Sequence, residues 1–265
     1  MENFKYLMEL CELKSFSSRN SQKNPISLRV QYIIDTIKEI GLEPIVSIFG
    51  INGDVYEEDD NKYVNVEIHF NIGADKSLIF IAHHDISNPN SENCQDNTAS
   101  CANLLYLAKL LKNINLDKNI FIVFTDAEEI VSTKYSGAAH LARKINNNKF
   151  KDVIGVVNLE LTANGNNYYV AGDDNDFLNK ILSLDNTHEV RTPFSDTYTM
   201  KVHEITSICT GSLSNNEIED VNDSNYCSTW GLCHSSNDTF ERSAREEDMA
   251  NFVEVYLMSI VNLEF

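Results

Sequence analysis

The chain has 265 residues, with 40 acidic and 21 basic side chains and a net charge of −19 at neutral pH. That balance argues against nucleic acids and anionic membrane surfaces as partners. Apolar residues make up 42% and charged residues 23%, with ten Gly and four Pro, which excludes collagen-like and proline-rich disordered classes.

The opening stretch, MENFKYLMELCELKSF, mixes apolar residues with Glu and Lys as an amphipathic helix does, not as a secretory leader does. No apolar run approaches the ~18 residues of a membrane span, so the expected location is cytoplasmic. Leu28 to Leu42 carries Leu28, Val30, Ile33, Ile34, Ile37 and Ile40 at helical spacing, with Gly41 placed to cap the C-terminus. Residues 44–49 and 63–70 read as two strands. In the second, Val64, Val66, Ile68 and Phe70 alternate with Asn65, Glu67 and His69, which predicts one polar face with His69 structural upon it. The acidic GINGDVYEEDDNK between them predicts a solvated hairpin tip. LIFIA (78–82), IFIVF (120–124) and VIGVV (153–157) are nearly continuous apolar runs, suited to strands covered on both faces. Helical patterns at 98–112 and 136–146 separate them, and a last helix is expected over 244–262. Strand–helix alternation of this kind predicts an α/β fold with a largely parallel centre. No repeat or Ser/Gly/Pro-rich linker divides the chain, so residues 1–265 read as one domain. Six cysteines, at 11, 94, 101, 209, 227 and 233, form no CxxC pair and are expected as reduced thiols, the 227/233 pair being the most open to question.

In open α/β sheets the functional site lies beyond the carboxyl ends of the strands. His83-His84-Asp85 follows the first run, Asp126-Ala127-Glu128-Glu129 the second and Asn158-Leu159-Glu160 the third, while Asp96 falls just ahead of the helix near Thr98. Imidazole and carboxylate together favour zinc or another divalent first-row metal. Such a set is too large for one closed tetrahedral zinc and suits two metals sharing a carboxylate. Of two adjacent glutamates, one can bind metal while the other carries the proton of an activated water. A further ligand is expected from the last third, where His188, His203 and His234 are the candidates and His234 sits in the polar loop WGLCHSSNDTF.

These residues resemble the two-zinc aminopeptidases and glutamate carboxypeptidases of the zinc exopeptidase clan, which also contains glutaminyl cyclases. The resemblance runs through AHHD (82–85), DNTAS (96–100), FTDAEE (124–129), NLEL (158–161) and HSSNDT (234–239), in that order, and covers roughly residues 75–262. It implies a three-layer sandwich in which a central mixed, largely parallel sheet is covered by helices on both faces. It implies two zinc ions per chain. His83 and Glu160 would hold one, Glu129 and His234 the other, and Asp96 would bridge them. Glu128 would be the general base and acid, Asp85 would support His83, and Asp238 would order the loop carrying His234. Ser195-Asp196-Thr197 resembles a Ser-Asp-His segment of the family. Three departures stand out: Glu160 where Asp is usual, with a longer arm that must reach from further back; Cys94-Gln95 where Gly-Ala is usual; and Thr197 in place of His.

The implied activity is removal of N-terminal residues from peptides or small amides, with water activated between the metals. A carboxypeptidase would need a cation for the substrate carboxylate, and Arg191 is the candidate. The alternatives are a glutaminyl cyclase-like zinc acyltransferase and a non-enzymatic binding protein on the same fold. Residues 211–233 read as a loop-rich insertion that shapes the pocket.

Overall fold

The three apolar runs become the centre of one sheet. In the computed structural model, which describes residues 1–13, 26–50, 62–129, 134–173, 175–191, 195–224 and 226–265, the strands are β1 (Ile45–Gly50), β2 (Lys62–Phe70), β3 (Ser77–His83), β4 (Asn119–Thr125), β5 (Val153–Leu159), β6 (Asn167–Gly172), β7 (Thr187–Glu189) and β8 (Ser207–Leu213). Their order across the sheet is β1-β2-β4-β3-β5-β8-β6-β7. β4, β3, β5 and β8 run parallel, and β1, β2 and β6 pair antiparallel with their inner neighbours. Every residue of β3 and β4 is buried, as continuous apolar runs require of strands covered on both faces.

Helices α1 (Glu2–Glu12), α2 (Leu28–Ile40) and α3 (Ala99–Leu111) cover one face. The other face is covered by α4 (Gly137–Asn146) and, after α5 (Asp176–Leu182), by α6 (Asp196–Val202). α7 (Asn215–Ser224), a single turn α8 (Phe240–Ser243) and α9 (Glu246–Asn251) follow; the last continues through a π-helical stretch, Phe252–Leu257, into α10 (Met258–Asn262) on the α1 side. The starts of α2 and α4 have a local cause. Ser27 Oγ accepts from Val30 N at 3.1 Å and Ser136 Oγ from Ala139 N at 3.3 Å, satisfying otherwise orphaned helix N–H groups. Gly41 ends α2 in the left-handed conformation (φ 82°), the cap position the sequence indicates.

One expectation changes, and another gains detail. The polar face predicted for β2 is present but mostly covered: Asn65 and Glu67 are fully buried, because α4 lies over them, while His69 at the end of the face is exposed. Asn65 donates to Gly137 O at 2.9 Å, and Glu67 accepts from His69 at 2.9 Å, from Ser47 at 3.1 Å and from Lys144. Alternation reports which residues share a face, not whether that face meets water. Residues 211–233 are not loop-rich, since they complete β8 and form α7. The predicted hairpin tip, 51–61, and the end of the opening amphipathic segment lie outside the described residues. All six cysteines are free thiols.

Burial pushes the Glu67 pKa up, but His69 and Lys144 outweigh it and hold the carboxyl at about 2. A depressed carboxyl stabilises the fold above its unfolded pKa, and that stabilisation is lost as pH falls from about 4.5 through about 2. Glu67→Gln should therefore lower stability at neutral pH by about 3 kcal/mol, the low end for breaking a buried pair because Lys144 reaches water. Urea unfolding midpoints at pH 7 and pH 3 check this; the mutant should lose more at pH 7 than at pH 3, and equal losses would contradict it.

Candidate metal centre

β3 and β4 end side by side, with His83 registered against Thr125, and β5 ends beside β3. The residues that follow converge at this edge. His83 Nε2 lies 3.2 Å from Asp96 Oδ1 and 3.6 Å from Glu160 Oε2. His234 Nε2 lies 3.2 Å from the other oxygen of Asp96 and 3.1 Å from Glu129 Oε2. One carboxylate thus stands between two imidazoles, each with a second carboxylate of its own. Donor atoms of His83, Asp96 and Glu129 all lie within 4.8 Å of one another. This hard-and-borderline donor set, buried or half-buried except for the exposed His234, fits a divalent first-row metal.

The supporting groups explain how the chain holds this geometry. His83 Nδ1 faces Asp85, 3.4 Å from its Oδ1 and 3.2 Å from its carbonyl, which leaves Nε2 directed at Asp96. Asp85 also accepts the backbone N–H groups of Glu128 (3.2 Å) and Glu129 (3.0 Å), so it orients the loop after β4 as well as the imidazole. His84 turns away from the site, with Nε2 against Val64 O at 2.8 Å. Asp238 accepts from the N–H groups of Gln95 (2.8 Å) and Asp96 (3.1 Å), so it holds the Asp96 segment and not only the loop of His234. Asn158 donates to Glu160 Oε1 at 3.3 Å. The carbonyl of Glu160 packs over β8 where a Cβ on Gly211 would lie 1.8 Å away, so this crossing requires glycine. Ala127 (φ 64°), Leu161 (φ 56°) and His234 itself (φ 61°) are left-handed non-glycine residues, each at or beside a predicted site residue. Such conformations cost about 1–3 kcal/mol each and persist where surrounding contacts over-determine them.

A cavity of 610 Å³ opens onto His83, Asp96, Glu128, Glu129, Glu160 and His234. Its remaining wall includes Leu161, Tyr169, Cys209, Tyr226, Trp230 and Cys233. Tyr226, Trp230 and Cys233 belong to the 211–233 segment expected to shape the pocket, although the sequence marks none of the three individually as wall. Arg191 is not in this wall; it lines a neighbouring cavity of 690 Å³ that shares Ser195 with the first. His188 bonds Asn167 at 3.2 Å, and neither it nor His203 lines the site. Asp196 is buried and accepts from Thr125 Oγ1 at 2.7 Å.

The electrostatics follow from crowding carboxylates in a desolvated space. Burial, aided by Asp196, Glu160 and Asp85, pushes Glu128 up to about 10. Burial and Asp96 push Glu129 up to about 8, and burial raises Glu160. The bond to Asp96 is the main cause lifting His234 to about 9. Burial opposes charge on His83, but Glu160, Asp85 and Asp96 prevail and raise it well above its ordinary value. The cluster thus holds protons at neutral pH that a divalent cation must displace. Zinc uptake should release protons, and apparent affinity should fall as pH drops below about 8, where Glu129 and His234 are protonated. Calorimetric titration in two buffers of different ionisation enthalpy measures the release; identical heats would contradict it.

The eight-stranded mixed sheet with helices on both faces, ending in this His/carboxylate edge, is the zinc exopeptidase fold. Residues 65–219 match the sequence profile of Peptidase family M28, and the chain belongs to that family. Membership implies a zinc metallopeptidase. His234 lies beyond the matched stretch, in the HSSNDT segment. Among solved structures, a glutaminyl cyclase from Fimbriiglobus ruber is 15% identical with a TM-score of 0.75, covering 99% of this chain and 95% of its own. A zinc aminopeptidase from Bacillus subtilis is 13% identical with a TM-score of 0.76, covering 98% and 93%. A Zn-dependent exopeptidase from Parabacteroides distasonis is 15% identical with a TM-score of 0.71, covering 99% and 97%. No curated protein matches the chain at the level of sequence. No helix among the described residues is long and apolar enough to cross a membrane.

Proposed function

We propose that the chain is a two-zinc exopeptidase that acts as an aminopeptidase on peptides or small amides. The observation that carries this reading is Asp96, with an imidazole 3.2 Å from each of its two oxygens. In it, His83 and Glu160 would hold one zinc, Glu129 and His234 the other, and Asp96 would join them. Zinc bound in such a set polarises a scissile carbonyl and makes water nucleophilic at neutral pH. The chain's own residues do the rest. Glu128, anchored through its N–H to Asp85, lines the cavity without being needed as a ligand. Its carboxylate takes the proton of the attacking water and returns it to the leaving amine. Asp85 keeps His83 in the tautomer that presents Nε2. The carboxylates of the cavity favour a free α-ammonium group on the substrate. No Lys or Arg lines the cavity among the described residues, which supports an aminopeptidase over a carboxypeptidase.

One observation favours a second reading, a glutaminyl cyclase-like zinc acyltransferase: Asp96, Glu129 and His234 alone already form a one-metal set. A binding protein without activity would have no need of Glu128. Metal analysis of the purified protein, with turnover of aminoacyl-nitroanilides and cyclisation of an N-terminal-Gln peptide, separates the three. Zinc with anilide hydrolysis supports the peptidase; cyclisation without hydrolysis, or neither, would overturn it.

Glu160 makes the weaker approach, at 3.6 Å from His83, and its extra methylene adds a rotatable bond where placement within about 0.5 Å matters. Graded chelation should therefore remove the metal of His83 and Glu160 first. Glu160→Asp should change that affinity more than the affinity of the metal of Glu129 and His234. Stepwise zinc titration of apo-protein showing two equal sites, unchanged by Glu160→Asp, would contradict this.

A further inference from the structure

Arg29 lies on α2, a helix whose other buried positions include Val30, Ile33, Ile34 and Ile37, yet it is only 1% exposed. Burying a guanidinium is costly unless its donors are satisfied. Among the described residues no carboxylate forms an ion pair with it. Its donors go instead to three oxygens, each at 3.0 Å: Nε to the carbonyl of His84, Nη1 to the carbonyl of Leu10 and Nη2 to the hydroxyl of Thr98. His84 stands between His83 and Asp85. Thr98 stands two residues after Asp96, where α3 begins. Leu10 lies in the last turn of α1. One planar fork therefore spans both segments that present the imidazole and the shared carboxylate, and joins them to the N-terminal helix.

We infer that Arg29 is a positioning residue for the metal centre: its fork sets the relation between the His83 and Asp96 segments and ties it to the seating of α1. This rests on the two-zinc reading above. A lysine cannot substitute, because a single ammonium on a flexible stem cannot hold three divergent acceptors in one plane. Arg29 touches no substrate, no reacting atom and none of the proposed ligands, so it acts only through the ligand-bearing segments it braces.

The test is zinc affinity, by competition with a chromophoric chelator, together with the visible absorption bands of the cobalt(II)-substituted protein. The proteins compared are wild type, Arg29→Lys, Thr98→Val and Glu67→Gln. Arg29→Lys should weaken zinc by about 10–100-fold, as loss of an outer partner of a metal site does, and should shift the cobalt bands. Thr98→Val removes one of the three acceptors while keeping the side-chain shape. It should weaken zinc several-fold and move the bands in the same direction. Glu67→Gln destabilises the fold away from the site and should leave affinity and bands at wild-type values. Should Arg29→Lys fail to fold, Thr98→Val decides alone. Wild-type affinity and bands in the Arg29 and Thr98 variants, or equal weakening in Glu67→Gln, overturns the inference and leaves the metal reading standing. A wild-type protein that takes up no zinc overturns both.

Discussion

Glu128→Gln should lower kcat by about 10²–10⁴-fold, the usual range for removing a proton-transfer group, while bound metal stays at the wild-type amount. Glutamine has the same shape, and the N–H that anchors residue 128 to Asp85 belongs to the backbone and survives the change. What is lost is the only function assigned to the side chain: accepting a proton from water and giving it up to the amine. The burial that pushes Glu128 up to about 10 without a cation shows how poorly this pocket solvates the charge, and nearby cations would draw it back toward neutrality, where a proton carrier works best. Steady-state kinetics beside metal analysis of the same preparation checks both halves. Turnover within a few-fold of wild type would remove Glu128 from this role; loss of metal would show it to be a ligand.

Asp96→Asn should weaken both metals, by more than the 10–100-fold typical of outer partners. Both imidazoles lie 3.2 Å from this carboxylate, on different oxygens, and a neutral amide offers only one good acceptor and no charge. The backbone of residue 96 stays held by Asp238, so the fold should persist and the loss should be specific. Zinc retained after desalting, measured against wild type, reads the effect. Full occupancy of one site with loss of the other would contradict a shared ligand.

The centre of this fold is written plainly in the chain. β3, β4 and β5 contain the uninterrupted apolar runs 78–82, 120–124 and 153–157, and their central position follows from those runs. His83, Glu128, Glu129 and Glu160 sit at or just after the ends of those runs, so the geometry of a parallel sheet brings them to one edge, whereas Asp96 and His234 reach that edge from the start of α3 and from the loop before α8. The rest was hidden for physical reasons. β6 to β8 are mixed in sequence, and the order β5-β8-β6-β7 depends on crossovers that no local pattern encodes. The alternation of β2 marks Asn65 and Glu67 as one polar face but not what covers it, because their partners, Gly137 and Lys144, arrive from a distant helix. Asp238 grips the backbone N–H groups of Gln95 and Asp96, and backbone donors have no sequence signature. Arg29 was invisible for the same reason, since two of its three acceptors are carbonyls.

The central claim, two metals sharing Asp96, is tested most directly by anomalous diffraction at the zinc edge from crystals of zinc-loaded protein. Two peaks about 3.5–4 Å apart are expected, the spacing of two-metal sites. One should lie beside His83 and Glu160 and the other beside Glu129 and His234, with the Asp96 carboxylate between them. A single fully occupied peak, or a second peak not touching Asp96, would contradict it.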